Sequence, residues 1–406
     1  MQCDTKSNYL RGANMKKAIK KAVSLCIVLV SAYIMQSCTA NKSVLTDNSF
    51  ASMYFNTTDT MHCYKALNGK THILEYESME DSLLCNKPNC THNGSDCIVA
   101  RLGGNIPMFS DTYAYYFIDD SPSIEEGEDG KPFLKLGTTL CRFDLTANAE
   151  EKLLHIDGVS ASFNDYGWLL HDGAVWFIGN HYSPKTDENG ILTSYGITGG
   201  KMELYSVDLK TQEISNYGDL YNVEELTKYY PKVPNSSEVY MCGVFDGKIY
   251  FNVAFVASAD EMSGAYVNYV TYFDLQTKTY HGEPEDYENI DYSTVSFVSD
   301  DYLILTKDGT AEVCKTGAEE PVTISDSDIY AGMFIPVSAF DDTLFCCGKA
   351  YDLNTKKCIE LTDNQNMKVI AAYQDSYIIG EGGQSDFEKV KKADYLAGKK
   401  SEHESA

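Results

Sequence analysis

Tryptophan, proline and positive charge are all scarce in this chain. Two Trp and ten Pro stand among 406 residues, against thirty Tyr and seventeen Phe. That balance favours strands, which aromatic residues suit and proline interrupts. Thirty-three basic residues face 59 acidic ones, a formal net charge of −26. A surface that acidic repels a phosphate backbone, so nucleic acid is excluded as a partner. The longest apolar run falls short of the ~20 residues that a membrane-spanning helix needs. With 23% charged and 43% hydrophobic residues, the composition is that of a globular chain, neither disordered nor multi-pass. Also missing are His-Glu-x-x-His, Gly-x-Ser-x-Gly, a P-loop and a dinucleotide fingerprint. Carboxylates gathered from several loops leave no such phrase, so a hydrolase built that way stays open.

The N-terminus has export character. Met15-Lys-Lys-Ala-Ile-Lys-Lys21 precedes a fourteen-residue apolar run, Ala22 to Met35. A positive segment followed by a short apolar one is the secretory pattern. Met1 to Asn14 has no such character, which places the expected start of translation at Met15. The run ends in Met35-Gln36-Ser37-Cys38. This resembles the bacterial lipobox, with Met35 where Leu is usual, and the resemblance implies lipidation of Cys38 as the mature N-terminus. Residues 1–37 are thus expected to be a signal peptide, and 38–48 a lipidated cysteine and polar tether. Loss of 1–37 removes six basic residues and one acidic residue, leaving 27 against 58, or −31. Anionic headgroups would repel such a domain, so several acyl chains must do the holding, at ~0.8 kcal/mol per buried methylene.

From residue 49 onward the chain repeats. An apolar-Asp-Leu step follows a strand-like run at Asp144-Leu145, Asp208-Leu209, Asp274-Leu275 and Asp352-Leu353, and in the last three Thr211, Thr277 and Thr355 follow two residues on. A second phrase, an Asp-centred turn running into an aromatic strand, recurs at Asp111, Asp172-Gly173, Asp246-Gly247, Asp300-Asp301, Asp341-Asp342 and Asp375. Asp-Gly and Asp-Asp tolerate positive φ and close tight hairpins. The flanking runs of 4–7 residues have strand periodicity. Units of about forty residues with four short strands are β-propeller blades. Seven are predicted, with six or eight as the neighbouring counts, at 52–85, 106–156, 163–217, 237–282, 292–325, 333–362 and 368–393. The fold class is therefore all-β, one propeller over 49–398, with a disordered tail at 399–406. Ser121 to Lys131, Ser183 to Gly200 and Tyr221 to Ser236 read as insertions. Only Asn222-Val-Glu-Glu-Leu has the look of a capped helix.

Within thirteen residues the chain carries Cys85, Cys90, His92 and Cys97. Three thiolates and an imidazole make a full tetrahedral zinc set, closed to substrate and hence structural. Outside the membrane, closely spaced cysteines also pair as disulfides. Metal and disulfide are both open here, and either pins the loop between the first two blades. Cys141, Cys242 and Cys346 sit in apolar strands and read as buried and inert. Vicinal Cys346 and Cys347 point to opposite strand faces and do not suit mutual pairing. The acidic loops Glu125 to Gly130, Asp187 to Gly190 and Ser325 to Asp328 lack a calcium loop's ligand spacing and read as solvated turns. Tyr229, Tyr230, Tyr266, Tyr269 and Tyr287 read as packing before a stacking rim.

The lipobox, the Asp-turn repeat, the Cys85-to-Cys97 segment with its Cys90-Thr-His92 core and the C-terminal Lys392-Ala-Asp-Tyr-Leu-Ala-Gly398 together resemble a family of bacterial propeller lipoproteins, loosely related to TolB-type propellers. The resemblance runs from Met15 to about Lys400. It implies a monomeric propeller held by lipid on the extracytoplasmic face of the cell membrane. Two functions fit. One is a binding protein for a peptide, glycan or envelope partner. The other is a hydrolase or lyase acting on polysaccharide, with carboxylates at the central funnel.

Overall fold

The computed structural model describes residues 49–398 apart from short connecting stretches, among them 127–131, 187–191, 257–265 and 326–337. The leader, the tether and the tail lie outside the described residues. So do most of the three acidic loops, Asp111 and Cys347.

Seven antiparallel sheets follow one another along the chain and form a seven-bladed β-propeller. They span 55–83, 108–157, 168–219, 238–281, 293–325, 338–360 and 368–391, each limit within five residues of the predicted blade. Each is a meander, and the first strands of blades one and three to seven contribute to the wall of the central channel. Blades one, two, four, five and six have four strands. Blade seven has three, and blade three has five, because the N-terminal strand Ser49–Ala51 pairs with its first strand, Trp168–His171.

The turns explain the repeats. In each apolar-Asp-Leu step the Asp ends the third strand, and its Oδ1 accepts from the backbone N–H groups two and three residues on. The acceptors Asp144, Asp208, Asp274 and Asp352 do this at 2.7–2.9 Å. The residue after each such turn, Asn148, Gln212, Lys278 or Lys356, takes positive φ. Between first and second strands, Asp172-Gly173, Asp246-Gly247 and Asp341-Asp342 have positive φ at both positions, the type I′ geometry that matches strand twist.

Adjacent blades hold each other through apolar side chains. Phe117, Phe177 and Trp168 join blades two and three, and Trp176, Phe251 and Phe273 join three and four. Smaller clusters join four to five, five to six and six to seven. Tyr64, Leu74 and Tyr76 of blade one meet Ala371 and Ile378 of blade seven, closing the ring by packing rather than by a shared sheet. A fully buried Phe contributes roughly 2–3 kcal/mol, so each joint rests on a few side chains. First strands of blades four, five and seven each carry a register shift, at Met241/Gly243, Val295/Phe297 and Val369/Ala371. Such bulges add twist where strands converge on the channel. A Cβ on Gly243 would meet Val298 Cγ1 at 2.6 Å, so blades four and five approach there only because glycine is present.

Helices are short. Val223–Tyr229 forms where the capping pattern predicted it, with Asn222 accepting from the Glu225 N–H at 3.1 Å. Ile98–Leu102 and Lys392–Leu396 were not signalled by the sequence. The insertion at Ser183 to Gly200 lengthens a hairpin, since the second and third strands of blade three run Ala174–Thr186 and Leu192–Asp208.

Candidate metal centre and channel mouth

The crossover from blade one to blade two carries the cysteine segment. Its downstream end is fixed by Ile98–Leu102, whose Ile98, Val99 and Leu102 are buried in the core between the blades. Cys97 caps that helix and is itself fully buried. Arg101 pairs with Glu150 of blade two, which also accepts from the Tyr116 hydroxyl at 2.5 Å. Upstream, Cys85 follows the outer strand of blade one. Between them Asn89 and His92 adopt positive φ, which turns the chain back on itself.

The result is convergence. One ligand atom from each of Cys85, Cys90, His92 and Cys97 lies within 4.8 Å of the others. The Cys97 Sγ and His92 Nδ1 are 3.6 Å apart, and the His92 N–H points to the Cys90 Sγ at 3.4 Å. All three cysteines are free in this structure. Burial pushes the Cys85 thiol up to about 11. Burial acts the same way on Cys97, but hydrogen bonds from the Ala100 backbone, His92, Cys90 and Cys85 outweigh it and bring the thiol down to about 7. A low thiol among donors is what a thiolate ligand requires. The donor set and its spread fit a tetrahedral ion of zinc type, with all four positions taken by protein.

Other cysteines divide. Cys141 is fully buried as expected, whereas Cys242 and Cys346 are only partly so. The bulge in blade four's first strand turns Cys242 toward the channel, where it lines the wall. Among the tyrosines, Tyr269 is buried, Tyr230 packs on Phe255 at 4.9 Å, and Tyr229 is 47% exposed.

A second site came from blade ends rather than from any motif. The central channel holds about 430 Å³ of free volume. Phe50, Leu169, Val244, Phe297 and Ile370 are among its apolar lining. Asp59, Asp300, Asp301, Asp341 and His171 stand at the turns around its mouth. Burial, followed by repulsion from Asp59 and Asp301, raises the Asp300 carboxyl, against a smaller lowering by His171. Lys392 pairs with Asp341 at 2.7 Å. Most of these acids were visible as turn formers. The first-to-second-strand turn is where a blade meets the channel, so the repeated Asp also marks its mouth.

No family model matches the chain. No curated protein matches it either. Several solved propellers are similar in part. One is the extracellular domain of a two-component system from B. thetaiotaomicron, at 11% identity and a TM-score of 0.35, covering 84% of this chain. This chain spans 41% of that domain's length. TolB from Acinetobacter baumannii is 11% identical at a TM-score of 0.26, covering 90% of this chain and 68% of its own. An oligogalacturonate lyase from Vibrio parahaemolyticus is 10% identical at 0.36, covering 83% and 88%. These likenesses say nothing of ligand or activity. Among the described residues no helix is long and apolar enough to cross a membrane.

Proposed function

We propose that the chain is a lipid-anchored, extracytoplasmic binding propeller whose channel mouth receives a cationic group on an apolar body, such as a basic side chain of a peptide or envelope protein. The channel carries this reading. Its apolar wall suits a hydrocarbon stem, and the carboxylates of Asp59, Asp300 and Asp301 above it suit a positive head. Zinc at Cys85, Cys90, His92 and Cys97 is structural in this reading and clamps the crossover of the first two blades. Lipid at Cys38 supplies the attachment.

A second reading rests on Asp300. A carboxyl raised by burial and by two neighbouring acids can hold a proton, as a general acid must. The same acids repel uronate polymers, so a polysaccharide hydrolase here would act on neutral or amino sugars.

The test is binding of the soluble 49–406 chain to arrays of basic peptides and of glycans. Selective retention of basic peptides, lost at high salt and in Asp59→Asn/Asp300→Asn, is the expected outcome. Retention of glycans with slow cleavage that Asp300→Asn abolishes would replace it with the hydrolase reading.

A further inference from the structure

The chain enters the ring at its centre. Ser49, Phe50 and Ala51 pair antiparallel with Leu170, Leu169 and Trp168, so the N-terminal strand lies inside the first strand of blade three. Ser49 is fully buried, and its hydroxyl accepts from Asn56 Nδ2 of blade one at 2.5 Å and from the Phe109 N–H of blade two at 3.0 Å. Three blades therefore fix the point at which the chain arrives.

The direction of arrival follows from the topology. In a four-stranded meander the first-to-second and third-to-fourth turns lie on one face. The second-to-third connections and the crossovers lie on the other. Ser49 sits beside Leu170, at the end of Trp168–His171 that leads into the Asp172-Gly173 turn. The strand Ser49–Ala51 thus begins at the face of the short Asp turns. The opposite face carries the hairpin Ser123–Glu126/Pro132–Lys135, the helix Val223–Tyr229 and the cysteine crossover.

We infer that the propeller is held with its Asp-turn face toward the membrane and its loop face, with the cysteine centre, directed outward. The inference rests on lipidation at Cys38. Eleven residue steps separate Cys38 from Ser49, a reach of at most ~37 Å when fully extended and ~18 Å as a flexible coil. Passing from the channel to the rim crosses four strands at ~4.8 Å spacing, and descending the edge takes a further strand length of ~20 Å or more. That path, about 39 Å, exceeds the full extension of the tether. The anchor cannot lie on the loop side.

The two faces differ in the matching sense. Asp59, Asp172, Asp246, Asp274, Asp301 and Asp352 all belong to turns on the membrane-facing side. Their repulsion from anionic headgroups fades over a Debye length of ~8 Å, within the reach of the tether. Of the four large hydrophobic side chains exposed among the described residues, Leu67, Ile124 and Tyr229 lie on the loop face.

The test uses the full lipidated chain in vesicles carrying an acceptor dye on their headgroups. A donor dye is attached through a genetically encoded keto residue, which leaves the native cysteines untouched, at Lys210 on the turn face or at Asn68 on the loop face. Energy transfer at least twofold more efficient from position 210 is expected. A twenty-residue Gly/Ser insertion after Thr46 should bring the two efficiencies together. Equal or reversed transfer in protein that floats with the vesicles would overturn the orientation while leaving the anchor intact. Wild-type protein that does not float, or Cys38→Ala protein that does, removes the anchor itself and the inference with it.

Discussion

His62 shows how one buried side chain ties stability to pH. It lies on the second strand of blade one, 5% exposed, stacked on Tyr64 and edge-on to Phe387 of blade seven. Its Nδ1 and the Thr57 hydroxyl are 2.8 Å apart. Burial brings its pKa down to about 3. In the unfolded chain the same ring takes a proton near 6.5, so acid favours unfolding. The contribution is fully present above pH 6.5 and is lost as pH falls toward 3, on the order of 5 kcal/mol over the whole window. Glu203 adds its own loss lower down. Burial raises its carboxyl, but Lys201, Tyr205, Asn216 and His181 outweigh that and hold it at about 2, so its share is lost as pH falls from 4.5 toward 2. Between pH 6.5 and 4.5 His62 supplies the falling slope, opposed by the carboxyls that burial raises, Asp219, Glu283 and Asp300. Urea midpoints should fall across that interval by more in the wild type than in His62→Gln, which keeps a partner for Thr57. An equal fall in both would sink this account. At the cysteine centre, elemental analysis should find about one zinc per chain. Chelator and His92→Ala should each lower the melting temperature by about 5 °C or more, since metal binding adds directly to folding. Sensitivity to reductant with indifference to chelator would favour the disulfide instead.

Among the elements, the Asp turns were the most legible, because their chemistry is local. An Asp that accepts from the next two or three N–H groups needs no distant partner, so Asp208, Asp274 and Asp352 announce their turns in the sequence alone. The residue closing each turn was not legible. Lys356 takes positive φ although nothing in its side chain favours it. The left-handed region costs an ordinary residue roughly 1 kcal/mol that glycine avoids. Lys356→Gly should accordingly raise the melting temperature by about 1–2 °C, whereas Asp352→Ala should lower it by a similar amount. Calorimetry on the pair checks both signs. The cysteine segment was half legible. Its donors could be read, but their convergence depends on the helix Ile98–Leu102 docking into the core, and five residues give too little periodicity to reveal it. The channel mouth was hidden for a related reason. Asp59, Asp300 and Asp341 lie far apart in the chain and meet only through the closure of the ring.

At the scale of the whole molecule, seven sheets and helices of five to seven residues make a spectrum dominated by strand. Far-ultraviolet circular dichroism of residues 49–398 should show a single strand minimum, and a pronounced helical double minimum would contradict the fold. The blade count was readable because each repeat ends in its own turn. The five-stranded blade three and three-stranded blade seven were not, since Ser49–Ala51 carries no mark of the sheet it joins. That strand has a mechanical consequence. Any tension transmitted through the N-terminus pulls Ser49 along the axis of its own strand. Its bonds to Trp168, Leu169 and Leu170, and those of the Ser49 hydroxyl, are then loaded side by side in shear instead of being unzipped one at a time. A load at the attachment point is shared at once among blades one, two and three. A pull on the N-terminus would therefore load the propeller at its hub.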